Sequence, residues 1–182
     1  MQDDLLAQLL VNRGIDPGQK DAFLSPSWEE GTYSPFAFTR MQEAVDTMMD
    51  ALESGVPIVI HGDYDADGVS GTTLLFGALQ EITEKFGWEP NISTFLPDRE
   101  KDGYGVALHT IERLASEGVE LLVTVDCGIA NGIELGRAHE LGMQVIVCDH
   151  HQMGQHFPGH AIILHPLAPG ETYPNKTLCG TG

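Results

Sequence analysis

Four short, almost wholly apolar runs constrain this chain more than any other feature of its sequence: Val56-Pro57-Ile58-Val59-Ile60, Leu121-Leu122-Val123-Thr124-Val125, Val145-Ile146-Val147-Cys148 and Ala161-Ile162-Ile163-Leu164. Their length suits strands rather than helices, and the lack of polar alternation marks strands covered on both faces. Ile92 to Leu96 is a weaker, alternating candidate, and helical patterns lie at about 69–86, 105–117 and 130–141. Strands that alternate with helices make βαβ units. The expected architecture over residues 56–182 is therefore α/β, a mostly parallel doubly wound sheet with flanking helices.

Residues 1–55 read as a small helical N-terminal region. Leu5-Leu6, Leu9-Leu10 and Ile15 form a short amphipathic stretch, and Asp16-Pro17-Gly18 opens a second short helix. A longer helix after Thr39 carries Met41, Ala44, Val45, Met48, Met49 and Leu52 on one stripe and ends near Ser54-Gly55. At 182 residues and 42% apolar, the chain can build one ordinary domain with an appendage. No apolar run approaches the roughly 20 residues that span a bilayer, and Met1-Gln2-Asp3-Asp4 lacks the basic start of a secretory signal. Cys127, Cys148 and Cys179 are too few and too scattered for a disulfide framework or a zinc motif. The expectation is a cytoplasmic protein without a membrane partner, its cysteines buried as small hydrophobes. Four lysines and five arginines face 27 acids, a net charge of −18, so the chain lacks the basic footprint of a self-sufficient DNA binder.

Polar residues follow the strands directly. Ile60 leads into His61-Gly62-Asp63-Tyr64-Asp65-Ala66-Asp67-Gly68, Val125 into Asp126-Cys127-Gly128, and Cys148 into Asp149-His150-His151. In a doubly wound sheet the C-terminal strand ends share one edge, so the three clusters should converge there. They supply carboxylates and imidazoles, a donor set that suits Mn²⁺, with Mg²⁺, Fe²⁺ and Zn²⁺ as competitors. Carboxylates packed together repel one another without a cation between them. The ligands suffice for two ions, which can activate water and stabilise the leaving oxygen of a phosphodiester. Two other readings use fewer of these residues. Asp63-x-Asp65-x-Asp67-Gly68 opens like a calcium loop, but Leu74 stands at the twelfth position and a strand precedes it. Asp65-x-Asp67-x-Val69 resembles the aspartyl-phosphate motif of haloacid-dehalogenase-like phosphatases, which leaves His150-His151 without a use.

Together, His61-x-x-x-Asp65-x-Asp67-Gly68, Asp126 and Asp149-His150-His151 resemble the signature of the DHH phosphoesterase superfamily. Within it the chain is similar to the RecJ-type single-strand-specific 5′→3′ exonucleases. The similarity runs through Leu10-Val11-Asn12-Arg13-Gly14-Ile15, Phe23-Leu24-Ser25-Pro26-Ser27, Gly62 to Gly68, and Pro97-Asp98-Arg99 to Gly103-Tyr104-Gly105. The resemblance implies a hydrolase that releases 5′-mononucleotides from single-stranded DNA in repair and recombination, with other repair proteins as further partners. It implies two Mn²⁺ ions, or Mg²⁺ in their place, bridged by Asp126. Asp65 and His61 would serve one ion, Asp67 and His150 the other. His151 would contact the scissile phosphate, and Asp149 would orient a neighbouring imidazole. Arg99 would contact phosphate and Tyr104 would stack on a base. The catalytic group is thus Asp65, Asp67, Asp126, His150 and His151, with no protein nucleophile.

Two departures from that family pattern matter. His165-Pro166 stands where these relatives have Asn before the proline. His165 is therefore read as a surface loop residue or an extra ligand, and His156 and His160 as solvated loop residues. The family's last metal-ligating aspartate, a second lobe and an oligonucleotide-binding barrel are expected beyond Gly182. The sheet domain is thus expected to be truncated, and these residues alone to bind metal but cleave weakly. The alternatives are a DHH-type phosphodiesterase on short oligonucleotides or cyclic dinucleotides, and a catalytically incomplete fragment kept as a binding partner.

Overall fold

In the computed structural model, which describes residues 2–182, the apolar runs become strands of one parallel sheet. The strands are β1 (Ile58–Gly62), β2 (Ile92–Phe95), β3 (Leu121–Val125), β4 (Gln144–Cys148) and β5 (Ile162–Leu164). Their order is β2-β1-β3-β4-β5 and every neighbouring pair is parallel, as the two-sided burial of the runs requires. A first compact unit, ending at Ser34, holds α1 (Gln2–Asn12), α2 (Lys20–Leu24) and α3 (Trp28–Gly31). The Asp16 carboxylate accepts the Gly18 N–H at 2.8 Å, but it caps only a 3₁₀ turn, Pro17–Gln19, and α2 starts after it. The second unit, Pro35–Gly182, contains the sheet with α4 (Met41–Ser54), α5 (Ala66–Phe86), α6 (Leu108–Ser116) and α7 (Gly132–Glu140).

Successive strand residues point to opposite faces, and the two cores follow this alternation. Val59, Leu122, Val145, Val147 and Ile163 pack with Ile111 and Leu114 of α6 and Leu135 of α7. Ile58, Ile60, Leu121, Val123 and Ile146 pack with Met48 and Leu52 of α4 and Leu79 of α5. The Met41–Leu52 stripe is therefore a sheet-facing surface, and α4 is part of the sheet unit. Gly55, left-handed at φ 66°, ends α4 and turns the chain into β1. Among the described residues no helix is long and apolar enough to cross a membrane. The cysteines are free, but they are not uniformly buried. Cys127 is enclosed, Cys148 is half-buried, and Cys179 is exposed in the terminal turn.

Leu122 is completely buried in the α6/α7 layer, whereas Leu108 of α6 is 49% exposed. Leu122→Ala is expected to cost about 2–5 kcal/mol, and Leu108→Ala about 0.5 kcal/mol or less. Urea denaturation checks both, and similar losses at the two sites would contradict this assignment of the core.

Candidate metal centre

The parallel register sets Gly62, Val125, Cys148 and Leu164 abreast. The next residue of each strand is polar: Asp63, Asp126, Asp149 and His165. The ladder continues one bond further. Asp63 N–H donates to the Val125 carbonyl (3.2 Å), Asp126 N–H to that of Cys148 (2.8 Å), and Asp149 N–H to that of Leu164 (3.2 Å). These bonds fix a row of four buried polar side chains along the C-terminal edge. Between β1 and β3 the strand order reverses, which is where ligands enter a sheet of this kind.

Asp126 is the centre of the row. It is 1% exposed, and among the described residues it is the one non-glycine residue with positive φ, at 61°. Its ligand atoms lie within 4.8 Å of those of Asp63 and Asp65, and also of those of His150 and His151, so two groupings share this one carboxylate. His150 Nε2 sits 3.1 Å from Asp126 Oδ1 and 3.5 Å from Asp67 Oδ2. Asp65 Oδ1 caps α5, accepting the N–H groups of Asp67 (2.8 Å) and Gly68 (3.0 Å). Gly68 lies in the first turn of α5. A Cβ there would lie 2.6 Å from the Asp63 N and O atoms, so glycine is what lets α5 start against the β1 loop. The Asp67 carboxylate accepts the N–H groups of Gly180 (2.8 Å) and Thr181 (2.7 Å).

Asp149 works on the histidines. Its Oδ1 accepts the N–H groups of His150 (2.7 Å) and His151 (3.0 Å) and lies 2.8 Å from His151 Nδ1, while Oδ2 accepts the Ile129 N–H at 2.9 Å. A carboxylate only accepts, so Nδ1 of His151 carries the proton and Nε2 is left for another partner. His165 is neither a surface residue nor a member of either grouping. It is fully buried, its Nδ1 accepts the Leu167 N–H (3.0 Å), and its Nε2 donates to the His151 carbonyl (2.8 Å). His156 and His160 are exposed, as expected.

Burial pushes the Asp126 carboxyl up to about 7, and the Asp67 charge adds to the effect. Burial also raises Asp63. At Asp67 burial acts in the same direction, but the hydrogen bonds from Thr181 and Gly180 prevail and hold it near 2. At His151 burial favours the neutral ring, yet the Asp149 hydrogen bond prevails and raises it. Neither carboxyl oxygen of Asp126 has a hydrogen bond, nor does Asp63 Oδ1. A buried carboxylate without donors is costly unless it is protonated or bound to a cation. The donor set here, hard oxygens with two imidazoles, fits a divalent ion of the Mn²⁺ or Mg²⁺ kind.

The edge thus brings together Asp65, Asp126, His150 and His151, with Asp67 in reach of His150 and Asp149 behind His151. His61 falls outside both groupings. Its ring is fully buried, with its centroid 5.0 Å from that of Phe95 and Nδ1 3.6 Å from Cys127 Sγ, and burial lowers its pKa to about 4. Tyr104 meets the His151 ring edge-on with centroids 5.5 Å apart, while the Arg99 guanidinium lies over Tyr64, 5.4 Å from the ring centre. Asp63 joins the site although the family motif does not include it: β1 runs on to Gly62, which sets Asp63 directly after the strand and level with Asp126.

Fold and site define a class, and the chain belongs to the DHH family: the N-terminal domain of that family matches residues 57–182. The single-stranded-DNA-specific exonuclease RecJ of Bacillus subtilis (strain 168) is 38% identical over 178 residues, 98% of this chain and 22% of that protein. The enzyme of the same name from Escherichia coli (strain K12) is 32% identical over 178 residues, 98% of this chain and 29% of its own length. A crystal structure of an exonuclease RecJ bound to manganese matches with a TM-score of 0.71 at 33% identity, over 83% of this chain and 37% of that one. The chain spans about a quarter of the length of these curated relatives.

With Asp126 raised to about 7, the metal-free fold keeps a proton that the unfolded chain releases near pH 4. This contribution to stability is present at low pH and is lost as pH rises from about 4 through 7. Asp67 has the opposite sign, since its contribution is lost only as pH falls toward 2. Asp126→Asn is expected to stabilise the metal-free protein near pH 8 by roughly 2–4 kcal/mol, and by much less near pH 4.5. Urea denaturation in chelator at both pH values checks this, and an equal effect at the two would contradict it.

Proposed function

We propose that this edge is the cation-holding part of a phosphodiesterase site that removes nucleotides from the 5′ end of single-stranded DNA and releases 5′-mononucleotides, in the cytoplasm and alongside other repair proteins. The observation that supports the reading most is the Asp126 carboxylate, which is buried, without hydrogen bonds and shared by two ligand groupings, in a chain of this family. Asp63 and Asp65 with Asp126 would hold one Mn²⁺ or Mg²⁺, and Asp126 with His150 and Asp67 a second. Such ions polarise a water molecule and neutralise the phosphate charge.

The remaining residues orient. Asp149 fixes the proton on Nδ1 of His151, which leaves Nε2 to meet a phosphate oxygen, and a raised pKa favours the cationic, donating form. The cap on α5 leaves one Asp65 oxygen directed away from the helix N–H groups. Tyr104, beside His151, offers a ring for a base, and Arg99 a charge for phosphate. His61 has no ligand role in this arrangement.

The test uses the full gene product with end-labelled single strands, duplexes, dinucleotides and cyclic dinucleotides. Mn²⁺-dependent release of mononucleotides from the 5′ end of the single strand is expected, and Asp126→Ala should reduce it by about 10³-fold or more. Faster hydrolysis of dinucleotides or cyclic dinucleotides, or activity that survives Asp126→Ala, would contradict the proposal.

A further inference from the structure

The contacts around His151 include a residue that belongs to neither ligand grouping and to no motif in the sequence: Asn131. It occupies the N-cap position of α7, yet its side chain makes no capping hydrogen bond. The amide instead grips one residue of the loop before α6. Its Oδ1 accepts the Val106 N–H at 3.2 Å, and its Nδ2 donates to the Val106 carbonyl at 3.1 Å. Gly105, at φ 81°, packs so closely on this amide that a Cβ would lie 2.6 Å from Asn131 Oδ1. The grip therefore depends on both the asparagine and the glycine.

Tyr104 immediately precedes Gly105 and meets His151 edge-on. His151 is held by Asp149, and the other oxygen of Asp149 accepts the N–H of Ile129, two residues before Asn131. The contacts form a closed circuit through His151, Asp149, Ile129, Asn131, Val106 and Tyr104. The far end of the same loop is anchored separately. Asp102 accepts the Asp98 N–H at 2.8 Å and pairs with the His109 ring at 2.9 Å. Between the anchors stand Gly103 and Gly105, both with positive φ, at 77° and 81°. Such a segment loses its shape readily when one anchor is cut.

We propose that Asn131 is a positioning residue that holds Tyr104 against His151, and so sets the wall on which the terminal base of a single strand rests. The inference depends on reading the site as one for single-stranded nucleic acid. Tyr104 is 49% exposed, leaving ring surface for stacking. Asn131 acts only through this loop, so its removal alters how substrate is held rather than how the cations are held. Because it does not cap α7, its removal also leaves that helix end unchanged.

The test is a double-mutant cycle in the full gene product: wild type, Asn131→Ala, Tyr104→Ala and the double variant, with steady-state kinetics on a single-stranded oligonucleotide in Mn²⁺. Each single variant is expected to raise KM by about tenfold, the scale of one lost stacking contact, with kcat nearly unchanged. The double variant should be no worse than Tyr104→Ala alone, because Asn131 acts through Tyr104. Mn²⁺ affinity, read from the paramagnetic resonance of the free ion, should not change in Asn131→Ala. Asn131→Asp, which keeps the acceptor and loses the donor, should fall between wild type and Asn131→Ala. Independent, multiplying KM effects, or a lower kcat with weakened Mn²⁺ binding, would overturn the role of Asn131 while leaving the substrate reading intact. A wild type that hydrolyses other phosphoesters but not single strands would overturn the substrate reading, and the base wall with it.

Discussion

The inter-strand register of a parallel sheet decides where the chemistry of this protein can occur. Once Gly62, Val125, Cys148 and Leu164 stand abreast, the residue after each must stand abreast too. The chain places Asp63, Asp126, Asp149 and His165 there. A slip of one residue between β1 and β3 would turn the two apolar runs to the wrong faces, so the helices on both sides defend the alignment of the carboxylates. The hydrophobic cores and the polar edge are thus set by one constraint.

That alignment has an electrostatic cost, and the surroundings share it unevenly. Asp149 has backbone donors and a histidine, and Asp67 has the Gly180 and Thr181 N–H groups. Asp126 accepts no hydrogen bond, with only the His150 ring nitrogen 3.1 Å from its Oδ1, and is the most burdened. This asymmetry separates the carboxylates that orient from the one that waits for a cation. Arg40, Arg113 and Arg137 do little to relieve it, because each is paired with a glutamate.

Much of this was legible in the sequence, for identifiable reasons. The strands were clear because burial on both faces removes polar residues from them, and α4 was clear from its stripe and its terminal glycine. The site residues were clear where they sit directly after a strand. At His61 the motif position alone suggests a ligand, whereas its ring packs against Phe95 and Cys127 and belongs to neither grouping. Asp63 was overlooked because its significance comes from register with Asp126, which is a property of two strands together. His165 and Asn131 were illegible for a related reason: their partners are backbone groups, of Leu167 and His151 for the one and Val106 for the other, and backbone atoms leave no trace in residue identity.

The most direct test of the account is anomalous diffraction from crystals of the protein soaked in Mn²⁺. The account predicts a peak within bonding distance of the Asp126 carboxylate, with Asp63, Asp65 or His150 completing its coordination. Crystals that take up Mn²⁺ elsewhere and leave the Asp126 carboxylate without an ion would contradict it.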